Sequence, residues 1–267
     1  MAFKAGNDQL LELAEGPPAD LDAAYNGIIQ AVNGGQITMQ RLDDSVRRIL
    51  HEKWWLGLVK NPYQDPAQVG RIVGIESHLE LAEQTSQESM TLLKNANKLL
   101  PLSKRPNQNI LVTGWQVTGL PSVDTVAQQI DAKGPQANAF PTGYAPDQAT
   151  INQAVAMAKQ NDIVVALTYN VWRPQFNSPQ ENLANALVAT GKPVIVITQG
   201  TPYDVAYLPG IAAFLGAYNY HATSLRTAVD TLFGDVNPSG KLSVTITEPP
   251  PSTKVLYPFG YGLRYPG

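Results

Sequence analysis

The larger part of this sequence predicts a three-layer α/β/α sandwich with a mostly parallel sheet of about six strands. Three observations carry that expectation. From residue 110 onward, short apolar runs alternate with amphipathic stretches of helical length. Two of the runs, IVVALT at 163–168 and VIVIT at 194–198, are apolar without a break, as strands covered on both faces are. Polar, Gly- and Pro-bearing segments separate the runs from the helical stretches. Such alternation implies right-handed crossovers with helices on both sides of the sheet.

In chain order, Ala5-Gly6-Asn7-Asp8 opens the sequence, followed by Leu10, Leu11 and Leu13, and Pro17-Pro18 interrupts it. Asp20 then predicts an N-cap for a helix to about Asn33, with Tyr25, Ile28, Ile29 and Val32 on one face and Gly34-Gly35 ending it. Thr38 precedes a second helix whose stripe is Leu42, Val46, Ile49, Leu50 and Trp54. Arg41, Arg47, Arg48 and Lys53 lie on its other faces, read as solvated surface. Trp54 and Trp55 read as packing residues. The segment from Asn61-Pro62 to Gly70 has the composition of a linker, and a helix is predicted from Ser77 to Asn95 through Leu81, Thr85, Met90, Leu92 and Leu93. Strands are then predicted at 110–113, 137–140, 163–168, 194–198, 211–217 and 242–246. Helices are predicted at 123–133, 147–160, 179–190 and 222–233.

Composition removes several classes of function. With 267 residues, 43% of them hydrophobic, the chain can build one large core or two modest ones. A net charge of −3 offers no electrostatic reason for nucleic acid or an anionic membrane as partner. No apolar run is long enough to span a bilayer, and no basic-then-apolar leader opens the chain. The absence of cysteine excludes disulfides, thiolate metal sites and cysteine nucleophiles. No G-x-G-x-x-G follows a strand, which argues against a dinucleotide cofactor. No cofactor or metal is expected.

Several phrases carry a resemblance. AGND, RLDDSVRRIL, TLLKNANKLLPL, FGDVNPSGKLSVTI and LYPFGYGLRY occur in this order and together span nearly the whole chain. They resemble glycoside hydrolase family 3. The resemblance implies closing helices of an incomplete (β/α)8 barrel at 1–60, a linker at 61–76 and the family's α/β/α sandwich at 77–267. It also implies hydrolysis of terminal β-linked sugars by a retaining mechanism, which needs two carboxyl groups. The family draws its nucleophile from an S-D-W or S-D-D phrase, and this is absent. The E-G-x-D-R phrase that gives its β-glucosidases an acid/base is replaced by TYNVWRPQFNSPQENL. Asp43-Asp44 and Glu181 read as helix-surface carboxylates.

GTPYDVAYL and the C-terminal LYPFGYGL look like the bacterial two-domain β-N-acetylglucosaminidases (β-N-acetylhexosaminidases). The expectation is therefore a C-terminal fragment of such an enzyme, inactive alone and with no catalytic residue of its own. Extracellular or cell-wall association is favoured over the cytoplasm. A fragment of a family 3 β-glucosidase, or a non-catalytic module binding glycans or a barrel partner, are the alternatives.

Candidate sugar contacts are Trp172 and Arg173 after the 163–168 strand, Tyr203 and Asp204 after the 194–198 strand, and Tyr218 and Asn219 after the 211–217 strand. Aromatic faces with hydrogen-bonding neighbours suit sugar rings. The same residues could instead buttress a domain interface. The apolar faces of the N-terminal helices predict a barrel partner or self-association.

Overall fold

A computed structural model describes residues 2–11, 18–171 and 178–266. The chain divides into two compact units, 1–74 and 75–267. No helix among the described residues is long and apolar enough to cross a membrane.

The first unit contains α1 (Pro18–Asn33), α2 (Met39–Trp55) and the short α3 (Val69–Ile72), which follows a 3-10 turn at Pro66–Gln68. Thr38 caps α2, its hydroxyl accepting from the Arg41 amide. The basic residues of α2 do more than face solvent. Arg41 and Arg48 both reach Asp8, at 2.8 and 3.0 Å, while the Ser45 hydroxyl donates to the same carboxylate at 2.8 Å. Arg41 also lies over the Phe3 ring, 4.7 Å from its centre. The Arg41 hydrogen bond, followed by that from Ser45, holds the Asp8 carboxyl below its ordinary range. By contrast, the apolar stripes of the two helices are open within this unit: Tyr25, Val46, Leu50, Trp54 and Trp55 are exposed.

The second unit is an α/β sandwich. In chain order it runs α4 (Glu76–Ser89), β1 (Thr91–Asn95), β2 (Asn109–Gly114), α5 (Ser122–Ala132) and β3 (Gln136–Pro141). There follow α6 (Gln148–Lys159), β4 (Ile163–Thr168), α7 (Ser178–Val188), β5 (Val194–Thr198), β6 (Ala213–Gly216) and α8 (Ala222–Leu232). The six-stranded sheet has the order β1-β6-β5-β4-β2-β3. All pairs are parallel except β1 with β6.

Alternation along each central strand divides the core. Ile110, Val112, Val165, Leu167, Ile195 and Ile197 face α5 and α8. Leu111, Val164, Ala166, Val194, Val196 and Phe214 face α6 and α7. The mostly parallel six-stranded fold is as the sequence predicts, but two boundaries are corrected. TLLKN is not the end of a helix; it is the antiparallel edge strand β1, with Thr91, Leu92 and Leu93 all buried. Leucine favours helices, yet three consecutive side chains that must all be enclosed fit a strand lying between two layers. The 242–246 run does not join the large sheet. Only Ile246–Thr247 (β7) is a strand there, paired antiparallel with Val255–Tyr257 (β8).

The C-terminal tail returns to the sandwich. The Leu263 amide donates to the Leu92 carbonyl, and the buried Tyr265 hydroxyl donates to the Thr231 carbonyl at 2.7 Å. At the same C-terminal end of α8, Lys133 bridges Asp230 and Asp235 at 2.5 and 2.8 Å, and Lys104 joins Asp235 at 2.6 Å.

Gly114 ends β2 with φ +113°, and a Cβ there would fall 2.2 Å from the Leu167 carbonyl oxygen. Gly114→Ala is therefore expected to destabilise this unit by about 3 kcal/mol; an unchanged urea midpoint would contradict this.

Stability should also fall at both extremes of pH. Asp147 is held low by the Thr150 amide, Asp235 by Lys104 and then Lys133, and Glu248 by Lys254. Their stabilisation is present above the unfolded carboxylate range, about pH 4, and is lost as pH falls through the lower folded values. Burial raises Tyr218, Tyr257 and Tyr265. That contribution is complete below about pH 10 and is lost as pH rises. Melting temperatures measured from acid to alkaline pH check both limbs.

Candidate functional site

Loops at the carboxyl ends of the parallel strands gather the polar chemistry of this unit. After β5, Gln199-Gly200-Thr201 leads into a 3-10 helix at Pro202–Tyr207. This short helix carries Asp204 back beneath the strand ends. Asp204 is fully buried; its Oδ2 accepts from the Thr168 hydroxyl at 2.8 Å and the Thr198 hydroxyl at 3.0 Å. Those threonines are the last residues of β4 and β5, so one carboxylate ties two strands and the following turn together. Tyr203, half-buried, packs against the core on the α6–α7 side.

Between β4 and β2 the chain reverses its direction of winding, because β3 lies outside β2 on one side and β5 beyond β4 on the other. Open α/β sheets take ligands at such a switch point. Here the crevice is filled from within. Trp115, directly after β2, stacks on Tyr169, directly after β4, with centres 4.3 Å apart and planes 17° from parallel. Tyr220 and Tyr144 meet the Trp115 ring edge-on at 5.7 and 6.4 Å.

Side-chain amides lock this stack. Gln199 Nε2 donates to the Trp115 carbonyl at 3.0 Å, and the Gln180 amide pairs with both backbone groups of Tyr169 at 3.0 and 3.1 Å. Sequence reasoning missed Trp115, Tyr169, Tyr220 and these glutamines. The available signal was an aromatic residue immediately after two of the strands.

Tyr218 follows β6 in the left-handed region, φ 57°, uncommon for a bulky residue. Its ring folds back over Gly216, where a Cβ would sit 2.9 Å from a ring carbon, and its hydroxyl meets that of Thr91. Asn219 is exposed, its Oδ1 accepting from the His221 amide at 3.0 Å. Thus Tyr203, Asp204, Tyr218 and Asn219 all belong to the loops after the neighbouring strands β5 and β6, but Asp204 is enclosed whereas Asn219 faces outward. Trp172 and Arg173 lie outside the described residues.

Acid chemistry is sparse at this end. In the sequence of the loops after β2 to β6, only Asp147 and Asp204 carry a carboxyl group. Asp147 caps α6 through the Thr150 amide at 2.8 Å, and Asp204 is committed to its threonines. Among the described residues no group of three or more His, Asp or Glu is placed to hold a metal ion.

The fold and this end of it define an α/β/α sandwich with aromatic and amide-rich loops and no facing pair of acids. Residues 90–265 match the glycosyl hydrolase family 3 C-terminal domain, and the chain belongs to that family. It is 32% identical over 84% of its length to a protein named lysosomal beta glucosidase from Dictyostelium discoideum, covering 32% of that protein. It is 28% identical over 99% of its length to the periplasmic beta-glucosidase of Salmonella typhimurium, covering 44% of it. The chain thus spans less than half the length of these relatives.

Among solved structures, a family 3 beta-N-acetylglucosaminidase from Paenibacillus superposes with TM-score 0.63 at 25% identity, over 90% of this chain and 45% of that one. The beta-glucosidase of Listeria innocua superposes with TM-score 0.64 at 24% identity, over 89% of this chain and 40% of that one; this likeness is one of fold.

Removing the carboxylate that ties β4 to β5 takes the Asp204 acceptor from the buried Thr168 hydroxyl and leaves the Thr198 hydroxyl with the Thr201 carbonyl at 3.2 Å. Asp204→Ala is expected to destabilise the second unit by about 3 kcal/mol. Denaturant unfolding measures it, and a loss within experimental error would show that the tie carries no weight.

Proposed function

We propose that this chain is the C-terminal part of a family 3 glycoside hydrolase that releases terminal β-linked sugars, with a (β/α)8 barrel supplying the reacting carboxyl groups. On this reading residues 1–60 are the closing helices of that barrel, 61–76 the linker and 77–267 the sandwich that completes the substrate cleft. The observation that carries it is family membership over residues 90–265 together with the carboxyl ends of the sheet, whose two acids are both used internally. Retaining hydrolysis needs two carboxyl groups about 5–5.5 Å apart, so their source lies outside the sandwich. The open apolar faces of α1 and α2 are where the rest of the barrel, or failing it a second copy of this chain, would pack.

The sugar we favour is a β-N-acetylglucosaminide. TYNVWRPQFNSPQENL replaces the phrase from which family β-glucosidases take an acid/base in this domain, so both acids would come from the barrel. The similarity to the Paenibacillus enzyme agrees with this. The second reading, a β-glucoside or β-xyloside, is favoured by the names of the Dictyostelium, Salmonella and other relatives. Candidate sugar contacts remain Trp172, Arg173, Tyr203, Tyr218 and Asn219, while the enclosed Asp204 would act only through the turn it holds.

The test joins this chain in frame to a family 3 barrel and compares nitrophenyl β-N-acetylglucosaminide, β-glucoside and β-xyloside. Preference of about tenfold or more in kcat/KM for the first is expected. Preference for either of the others moves the assignment to the second reading. Turnover by this chain by itself, abolished by one carboxylate substitution, would overturn the proposal.

A further inference from the structure

A groove of about 510 Å³ opens between α4 and the first turn of α8, within the size range of small-molecule sites. Tyr218 and Asn219 line it from the β6 end, His221 and Thr223 from α8, and His78 and Ser86 from α4. Four features give it chemistry. The Tyr218 ring is backed by Gly216 and anchored through Thr91, in a left-handed backbone conformation that fixes its direction. The Ser86 hydroxyl, on a residue only 5% exposed, has no hydrogen-bond partner among the described residues. His221 occupies the cap position of α8 without a side-chain capping bond, so the first amides of that helix are left to other acceptors. Finally, no Asp, Glu, Lys or Arg lines the groove. The nearby ionic pair, Glu83 of α4 with Arg226 of α8, is satisfied internally and links the two walls.

We propose that this groove binds one pyranose ring of a neutral saccharide, which stacks on Tyr218 and exchanges hydrogen bonds with Asn219, the α8 amides and Ser86. A fixed aromatic face with hydroxyl, amide and imidazole groups and no formal charge matches an uncharged, polyhydroxylated ring with apolar faces. An anionic ligand would find the α8 amides and two imidazoles, but no Lys or Arg to pair with. The choice of sugar rests on the glycosidase reading. Hydrolysis by the joined protein tests that reading, whereas the groove is tested on this chain with no barrel present, so the two can fail separately.

The experiment titrates the 267-residue chain, isotope-labelled, with N-acetylglucosamine, glucose, xylose and their β-linked oligomers, and in parallel with inorganic phosphate. Saturable millimolar binding of a sugar is expected, with amide shifts centred on Thr85, Asn219 and Thr223. Tyr218→Asn, which removes the ring while tolerating a left-handed backbone, should weaken binding about tenfold or more in a variant that is still folded at the temperature of the titration. The shift map on the unaltered chain decides the matter if that variant does not fold. Absence of saturable sugar binding, shifts centred elsewhere, tighter binding of phosphate, or full affinity in a folded Tyr218→Asn variant would each overturn the proposal.

Discussion

Two threonine hydroxyls converge on one carboxylate at the end of the sheet, and the arrangement of the loops there follows from it. Thr168 and Thr198 close adjacent parallel strands, and Asp204 binds both from the turn that follows the second. A buried carboxylate is costly unless its acceptor sites are filled. The 3-10 turn at 202–207 is therefore held where it can fill them, and the direction in which the chain leaves β5 is fixed. Beside this tie, Gly114 lets β2 approach β4 closely enough for the Trp115 amide to reach the Leu167 carbonyl. Trp115 is thereby brought onto Tyr169, and the switch-point crevice is closed from inside.

That closure separates this sandwich from nucleotide-binding sheets of similar topology. There, a glycine-rich turn leaves room for phosphate at the switch point; here, an indole and a phenol occupy the space, and glutamine amides secure their backbones. What the loops offer instead is a rim of tyrosine, asparagine and histidine around the end of β6 and the start of α8. A rigid rim without acids of its own suits a domain that shapes a cleft for chemistry performed by another part of an enzyme, as proposed above.

Much of this architecture was legible in the sequence because the central strands have two covered faces. IVVALT and VIVIT are short, rich in β-branched residues and unbroken by polar ones, as enclosed strands are, and the helices between them fall where their periodicity puts them. The edges were harder. TLLKN follows a helix directly and is rich in leucine, so local propensity and tertiary position disagree, and its role as an antiparallel edge emerges only from pairing with β6. The run at 242–246 has strand composition, yet its segment pairs with the C-terminal arm instead of the large sheet. Of the site, the phrase TPYD marked the turn after β5, but nothing in it distinguishes a carboxylate turned inward from one turned outward. Trp115 and Tyr169 lie more than fifty residues apart in sequence, and only the β2–β4 pairing brings them into contact.

The central claim is that the carboxyl-end loops of this sandwich complete the cleft of a family 3 barrel. Amide hydrogen exchange of this chain, followed with and without a barrel-only family 3 protein, tests it most directly. Slowed exchange confined to the stretches after β4, β5 and β6, together with the exposed faces of α1 and α2, is the result this account requires. Exchange unaltered at those loops while the barrel protein binds elsewhere, or not at all, would contradict it.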